Sequence, residues 1–307
     1  MELNHNILFK LEENLEPHDL SLSAVPITVL GYGDISLVFK IDELEGIVLK
    51  RMPAFKSKAE AKQYAVMYKE YNTVLEKTGL NIPMSDTAVI DIPGRPIAVL
   101  YIAQQILPPE NFAHVLIHTF SADENKQLLA RIVREISKIW EFNHNNTQSL
   151  ELALDSQLSN WVLHNDSLYY VDTSTPLFRK NGIEQILGNV DAFLECVPIG
   201  LRWIFRRVFV NDVIPRYYIR RNVFVDFLSN LNNERPDIIP MTIEIVNGFL
   251  GEQAEKITGE EVAKYYVEDR RIWLIFLALR KLDRWIKIKV FRKRYEFTLP
   301  EKSSFNK

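Results

Sequence analysis

Cysteine and long apolar runs are scarce in this chain of 307 residues, and each scarcity excludes a class of protein. The single cysteine, Cys196, excludes an internal disulfide framework and fits a reducing compartment. The longest apolar run, residues 272–279, has eight residues, whereas roughly 20 are needed to cross a bilayer. The first residues show no apolar run preceded by a basic region, which argues against a secretory signal. We therefore expect a soluble, cytoplasmic protein.

Several common catalytic motifs are also missing. The sequence has no G-x-S-x-G elbow of the α/β-hydrolases and no P-loop ending in G-K-[ST]. It has no H-E-x-x-H motif, and its histidines show no paired-ligand spacing. With one cysteine as well, we expect no zinc site. The commonest hydrolase and NTPase classes are thereby excluded.

Basic residues are concentrated in two stretches near the carboxyl end. Residues 201–225 hold six arginines and one aspartate, and residues 269–294 hold ten Lys/Arg and two aspartates, in a chain with net charge −3. Aromatic residues interleave with them. We favour amphipathic helices with solvated basic faces and aromatic cores. A membrane surface or an anionic acceptor remains an alternative, whereas nucleic acid is not favoured.

The first third of the chain reads as β-rich, with one helix. A helix is predicted over residues 58–77, where apolar and tyrosine side chains recur at helical spacing before Gly79. Two consecutive prolines, Pro108 and Pro109, then interrupt the chain. Short apolar runs bounded by turn residues predict strands at 27–30, 37–41, 46–50, 89–92 and 96–104.

After the prolines the pattern becomes mainly helical. Ser121 followed by Glu124 has the spacing of a capping box. A polar loop is expected at 143–148, a β-hairpin at 161–171, and helices from residue 182 onward. This order predicts an α+β protein of two lobes. The small N-terminal lobe spans residues 1–107, including an extension over 1–26, and the larger lobe spans 108–307.

A glycine-rich segment lies between the first two predicted strands. Residues 31–38 read G-x-G-x-x-S-x-V, in which Gly31, Gly33 and Val38 match the phosphate-covering loop of kinases and Ser36 replaces its third glycine. A serine is small enough to allow a close approach to phosphates. A simple pair of turn glycines in a hairpin explains the segment equally well.

A lysine and a glutamate follow in the order that phosphoryl transfer uses. Lys50 ends the third strand and would lie beside the glycine-rich segment. Glu70, inside the helix, is the favoured partner for Lys50. Glu60 is the alternative, but it lies near the helix start, where an acid also suits the helix dipole.

The strongest pattern is an aspartate five residues before an asparagine, with a short apolar strand directly after it. Asp155 and Asn160 form this D-x-x-x-x-N pattern, in which the carboxylate can face an acceptor hydroxyl and the amide oxygen a metal ion. Asp172 leaves the second strand of the following hairpin, where it can reach Mg²⁺. Asp166 is nearer but falls in the hairpin turn and is read as a turn former.

Over about residues 27–178 these motifs together resemble the protein-kinase-like superfamily, most closely its aminoglycoside and choline phosphotransferase branch. The resemblance implies ATP and Mg²⁺ in a cleft between two lobes, with adenine held by the backbone near Gln104, Gln105 and Ile106. It implies that Lys50 holds the α- and β-phosphates. Glu70 would orient Lys50, Asp155 would act as the base, and Asn160 and Asp172 would bind the metal.

The sequence departs from the family pattern at three positions. Ala153 replaces a frequent histidine, Gln157 replaces the lysine of protein kinases, and Thr173 follows the metal-binding aspartate in place of an aromatic residue. The missing lysine argues against a protein substrate. The resemblance then implies γ-phosphoryl transfer to a hydroxyl of a small-molecule or glycan-like acceptor. Two alternatives stay open: a catalytically silent nucleotide-binding or scaffold module, and AMP transfer on the same fold.

Overall fold

A computed structural model describes residues 3–33, 36–146 and 149–299. These residues form an α+β protein in which antiparallel sheets precede and border a mainly helical half. The expected α+β class is confirmed at this level.

A five-stranded antiparallel sheet dominates the amino-terminal part, with strand order β1-β2-β3-β5-β4. On the central strand, Lys50 lies opposite Val38 of one neighbour and Ile102 of the other. Because side chains alternate along a strand, these three residues lie on one face, while Leu49 and Arg51 point to the other. The strands are β1 (Thr28–Tyr32), β2 (Leu37–Lys40), β3 (Ile47–Phe55), β4 (Ser85–Asp91) and β5 (Ala98–Gln105).

A single long helix, α2 (Lys58–Lys77), connects β3 to β4, and both of its ends are those expected from the sequence. The Ser57 side chain accepts a hydrogen bond from the Glu60 backbone N–H and caps the first turn. Gly79 follows the last turn with φ +84°, a conformation that glycine adopts without strain. The apolar face of α2 packs into the largest core of the protein.

An amino-terminal helix, α1 (His5–Asn14), covers the opposite face of the sheet. Leu8 and Leu11 are fully buried there with Phe39 and Tyr101. Glu12 is buried as well and forms a bidentate ion pair with Arg51 at 2.8 and 2.9 Å. The segment expected as an extension thus contributes one side of a second core.

The remaining elements build the helical half around a small hairpin. Helix α4 begins with the capping box expected at Ser121 and Glu124. The hairpin pairs Trp161 with Tyr170 and His164 with Ser167, as expected, and turns at Asn165 and Asp166. The elements are α3 (Ala113–Thr119), α4 (Ala122–Asn145), β6 (Leu150–Leu152), β7 (Trp161–His164), β8 (Ser167–Tyr170), β9 (Phe178–Lys180), β10 (Ile183–Glu184), α5 (Val190–Leu194), α6 (Arg202–Val208), α7 (Arg220–Glu234), α8 (Ile239–Leu250) and α9 (Gly259–Trp285).

The polar loop expected from Asn143 begins later than the sequence indicated, because α4 continues to Asn145. Asn143 stays helical while its side chain bonds the backbone of β6, donating to Leu152 O and accepting from Leu152 N, both at 2.8 Å. Asparagine usually favours loops because its side chain competes for backbone hydrogen bonds. Here the Asn143 side chain bonds β6 instead of its own backbone, so the helix can continue past it. Residues 147 and 148 of that expected loop lie outside the described residues.

The carboxyl-terminal part of the described chain folds back on both halves. Beyond a short π-helical turn, residues 291–299 form neither helix nor strand, and Tyr295, Phe297 and Leu299 are buried beside Cys196. Arg294 lies 3.9 Å from both Glu12 and Glu16, at the amino-terminal helix. The expectation of helix for this stretch holds to Val290 and fails beyond it.

Candidate functional site

The loop from Asp155 to Asn160 is fixed by hydrogen bonds within itself and to the neighbouring elements β8 and α7. The Asn160 side-chain N–H donates to Asp155 O at 3.2 Å, and the Gln157 N–H donates to the Asp155 carboxylate at 3.1 Å. Tyr170 Oη accepts from the Asp155 N–H, and Ser156 Oγ donates to Val223 O of α7. Because the loop is tied to β8 and α7, the half-buried Asp155 carboxylate has a fixed direction.

Asp172 lies directly after β8, where the Val171 N–H donates to Asn160 O at 2.9 Å. One oxygen of Asp172 accepts from Lys50 Nζ at 3.1 Å and from Ser174 Oγ at 2.7 Å. Burial by itself raises the pKa of Asp172, but the Lys50 ammonium and the Ser174 hydroxyl outweigh it and hold that pKa below its ordinary value. Asp172 is therefore an anion at neutral pH, as a metal ligand must be.

Lys50 connects the five-stranded sheet to the segment that follows β8. Its ammonium donates to Val171 O and to Asp172, both at 3.1 Å, and its side chain is only 11% exposed. The structure thus brings together Lys50, Asp172, Asn160 and Asp155, four residues that the sequence analysis selected from positions up to 122 residues apart.

The expected pair between Lys50 and Glu70 is not formed in the structure. Glu70 instead binds Lys180 of β9, at 2.6 and 2.7 Å. The face of α2 that meets the site carries Tyr71, with Tyr68 and Tyr64 one and two turns earlier. Since consecutive residues of a helix are about 100° apart, Glu70 points away from this face. Glu60 is not the partner of Lys50 either, since it accepts from the Lys56 N–H at the helix start.

Three tyrosines of α2, rather than a glutamate, bond the segments on either side of the site. Tyr71 Oη donates to Ala153 O at 2.6 Å, and Tyr64 Oη donates to Ser174 O at 2.8 Å. Tyr68 Oη accepts from Thr173 Oγ1 at 3.3 Å. These side chains, fully buried, connect α2 to both segments that carry the site's carboxylates.

From the sequence, these tyrosines were predicted only as part of the apolar face of the helix. Burial and the nearby Asp172 carboxylate raise the pKa of Tyr64 and Tyr71 well above the ordinary value, so both stay neutral donors. A usable signal was present: three hydroxyl-bearing rings at spacings of four and three residues on one buried face, each of which requires a polar partner.

In the glycine-rich segment, Gly31 of β1 lies opposite Val38 of β2, and the Gly33 N–H donates to Ser36 O at 3.0 Å. A Cβ at Gly33 would lie 2.5 Å from Ser36 Oγ, so a larger residue there would force the serine side chain to move. At Gly31 a Cβ would meet nothing within 4 Å. Residues 34 and 35, between the glycines and the serine, lie outside the described residues.

The segment expected to hold the adenine ring of ATP is the end of β5 and the residue after it. The Gln104 side chain, which is buried, donates to Val171 O at 3.2 Å and to Thr173 Oγ1 at 3.4 Å. The N–H groups of Gln105 and Ile106 donate to Met84 O and Gly46 O. Gln104 thus supports the Asp172 segment through two acceptors, Val171 O and Thr173 Oγ1.

A cavity of about 160 Å³ opens beside the two carboxylates. Asp155, Tyr170 and Asp172 line it. The rest of the lining is mostly apolar and comes largely from α5, α6, the π-helical turn at Phe209–Val213, and α9. It includes the aromatic side chains of Phe193, Phe205, Phe209, Trp273 and Phe276, and the polar residues Thr175 and Tyr217.

Many of the basic residues in the two carboxyl-terminal stretches are used inside the protein. They bind carboxylates and backbone carbonyls, and Arg280 is itself buried. These side chains are therefore engaged in intramolecular contacts, which the expected solvated basic faces did not include. The contacts are Arg202–Glu195, Arg206–Asp191, Arg221–Glu261, Lys287–Asp283, Arg220 to Phe249 O, and Arg280 to Thr298 O.

Within the described ranges, no three or more His, Cys, Asp or Glu side chains gather as a metal cluster. A divalent cation at Asp172 would therefore have Asn160 as its other protein ligand and would need further oxygens from a bound phosphate. The donor chemistry fits this: the Asn160 nitrogen faces Asp155 O, which turns its amide oxygen the other way. In the same described part of the chain, helices that are both long and apolar enough to traverse a bilayer are absent.

The fold and site define an α+β protein in which a sheet lysine meets a half-buried aspartate beside an apolar cavity. The chain belongs to the family described as "Family of unknown function (DUF6206)", whose model matches residues 10–284. That match includes every residue of the site. A search of curated proteins found no match.

Proposed function

We propose that this protein is a two-lobed, protein-kinase-like phosphotransferase that moves the γ-phosphoryl group of ATP to an acceptor hydroxyl. The observation that carries the proposal is the contact between Lys50 Nζ and Asp172, at 3.1 Å, beside the Asp155–Asn160 loop. The strand order β1-β2-β3-β5-β4 with one helix between β3 and β4 supports it. In this proposal residues 3–107 and 108–299 are the two lobes.

Each residue has a role that its position allows. Lys50 would bind phosphate oxygens of ATP in place of its present contact with Asp172. The ammonium and the carboxylate already lie next to each other, so a bound phosphate and its Mg²⁺ could be held between them. Asp172 and Asn160 would hold Mg²⁺, which neutralises charge on the transferred group. Asp155, fixed by its backbone contacts, would orient the acceptor hydroxyl and take its proton.

The tyrosines of α2 would replace the glutamate that usually orients the lysine. Lys50 is oriented here by Asp172 and Val171 O, and the segment that carries those two acceptors is held by Tyr64, Tyr68 and Gln104. Glu70 then has a structural role against Lys180.

The test combines nucleotide binding with transfer of label. We expect Mg²⁺-ATP to raise the melting temperature by linkage. Asp155→Asn should retain this shift while losing about 10²–10⁴-fold in turnover, the contribution of a general base. Asp166→Asn is the matched control, because this exposed turn carboxylate bonds only Arg131 among the contacts described. Absence of a thermal shift with every nucleotide would refute the proposal.

A catalytically silent nucleotide-binding module is the second candidate. It is favoured by Glu70 being engaged with Lys180 rather than with Lys50. Nucleotide binding without turnover over a broad acceptor panel would establish it. ATP labelled at the α- or the γ-phosphate separates AMP transfer from phosphoryl transfer in the same assay.

A further inference from the structure

The cavity beside Asp155 has walls that restrict what an acceptor can be. Apart from the two aspartates, its lining is dominated by phenylalanine, tryptophan, leucine, isoleucine and valine side chains, and none of the lining residues is a lysine, arginine or histidine. Among the residues that line the cavity, an anionic acceptor would therefore meet two carboxylates and no basic side chain, because Lys50, which binds Asp172, is not part of the lining. The electrostatics of the pocket disfavour it.

A sugar-like acceptor fits the walls no better. Each hydroxyl buried without a partner costs about 1–3 kcal/mol. Of the 17 residues that line the cavity, 11 offer no hydrogen-bonding side-chain atom, and among the polar ones Tyr170 already bonds the Asp155 N–H and Trp273 already bonds Asp269. An alkyl or aromatic body gains about 0.8 kcal/mol for each buried methylene. The balance favours an acceptor with one hydroxyl at the carboxylates and an apolar body behind it.

The size of the cavity sets the size of the buried body. Its volume of about 160 Å³ is close to that of apolar protein cavities, about 150 Å³, that accommodate benzene. One aromatic ring or a short alkyl segment therefore fits inside. Anything longer must extend out of the cavity, and α6 and α9, which both line it, also carry the exposed apolar side chains Trp203 and Ile275, 66% and 57% accessible.

We propose that the acceptor is an alcohol with an apolar body, bound with its hydroxyl at Asp155 and its hydrocarbon against α6 and α9. This rests on the proposed phosphotransferase function. The alcohol oxygen forms a bond to the γ-phosphorus of ATP, the bond from that phosphorus to the β,γ-bridging oxygen breaks, and the alcohol proton passes to Asp155. The products are a phosphate monoester, ADP and a proton.

The same chemistry can come from a free alcohol in water or from an amphiphilic alcohol in a membrane. Binding is measured by calorimetry with linear 1-alkanols of increasing length and with phenylethanol, and transfer is measured with γ-labelled ATP. We expect the dissociation constant to fall about fourfold per methylene until the cavity is full. A second arm supplies a long-chain alcohol in neutral phosphatidylcholine vesicles. Faster turnover from vesicles than from dispersed alcohol identifies a membrane source, and the reverse identifies a soluble one.

Filling the cavity tests the assignment directly. Ile272→Trp places a large side chain into it, whereas Ile275→Trp, three residues further on α9, changes an exposed position. We expect alkanol binding to weaken at least tenfold in Ile272→Trp and to stay within about twofold in Ile275→Trp. If Ile272→Trp does not fold, Phe276→Leu serves instead and should shift the preferred alcohol to a longer chain.

The outcomes separate this inference from the function on which it rests. Nucleotide binding with no alcohol binding, or alcohol binding that Ile272→Trp leaves intact, would overturn the assignment of the acceptor and leave the phosphotransferase proposal standing. Tighter binding of a hexose than of any alkanol would overturn it as well. Alcohol binding without nucleotide binding would overturn both, because no phosphoryl donor would then reach the site.

Discussion

At the scale of single residues, buried hydroxyl groups do much of the positioning at the site. Tyr71 Oη reaches Ala153 O at 2.6 Å across a separation of 82 residues. That carbonyl precedes Asp155 by two residues, so the bond fixes the entry of the loop. A buried carbonyl deprived of its donor costs more than the bond itself contributes.

Tyr71→Phe removes only that hydroxyl. We expect a loss of about 1–3 kcal/mol in the free energy of unfolding, measured by urea denaturation, because Ala153 O is left without this donor. Tyr266→Phe is the control, since the Tyr266 hydroxyl bonds Asn233 at an exposed position. Equal losses in the two variants would contradict the role assigned to Tyr71.

At the scale of elements, α7 and α9 pack with two carboxyl groups between them. Burial, together with the neighbouring Asp269, raises the pKa of Asp226 to about 7, while Tyr265 and Arg216 oppose that rise. Burial also raises the pKa of Asp269. The folded protein therefore keeps a proton at this interface that the unfolded chain releases at lower pH.

The sign of the pH dependence follows from that shift. A carboxyl whose pKa is raised on folding stabilises the fold fully below its unfolded pKa and loses that contribution as pH rises through its folded pKa. For Asp226 the loss runs from the ordinary value of 3.8 to about 7. We expect Asp226→Asn to melt higher than the wild type at pH 8 and to flatten this part of the profile, measured by thermal denaturation.

The control for that prediction is Asp237→Asn, which removes one charge elsewhere. Bonding to Arg235 lowers the pKa of Asp237, so its removal has no reason to stabilise the protein at alkaline pH. A gain in melting temperature at pH 8 in both variants would trace the effect to net charge rather than to the α7–α9 interface.

At the scale of the whole molecule, one buried cluster ties together three distant parts of the chain. Glu12 of α1 bonds Arg51 of β3 and accepts from Tyr101 Oη of β5 at 2.6 Å. Arg51 also donates to Glu296 O in the carboxyl-terminal segment at 2.8 Å. The two ends of the described chain are thus joined through the sheet that carries Lys50.

Glu12→Gln should be among the most destabilising conservative changes in the protein. Burial by itself raises the pKa of Glu12, but Arg51, Tyr101 and Arg294 outweigh it and lower that pKa. The contribution of Glu12 is therefore present above its ordinary pKa of 4.5 and is lost as pH falls through the folded value. We expect a loss of about 3–5 kcal/mol at pH 7, since the buried Arg51 loses its bidentate carboxylate partner.

Urea denaturation at several pH values measures this loss, and the difference from the wild type should shrink in acid. Glu13→Gln, at the exposed neighbouring position, is the control and should stay within about 0.5 kcal/mol. A difference that does not change with pH would show that Glu12 contributes through packing alone.

The sequence predicted those features whose causes are local. The bounds of α2 followed from the helical spacing of its apolar and tyrosine side chains and from Gly79, and the β7–β8 hairpin followed from two apolar runs around a polar turn. The order of motifs also predicted that Lys50 and Asp172 belong to one site. The partner of Glu70 could not be predicted, because Lys180 lies 110 residues away and its approach depends on where β9 packs. The apolar cavity was missed for the same reason: its walls come from α5, α6 and α9, which the sequence showed only as amphipathic segments.

Lys50 and Arg51 are consecutive residues that face opposite sides of one strand, the first toward Asp172 and the second toward Glu12. If the proposed function holds, a genetic screen for inactive variants would therefore recover changes on both faces of the sheet. Some would remove a group from the proposed site, and others would destabilise the opposite face. Substitutions around Glu12 would have the same phenotype as substitutions at the proposed site, and protein abundance in the mutant cells would distinguish the two classes.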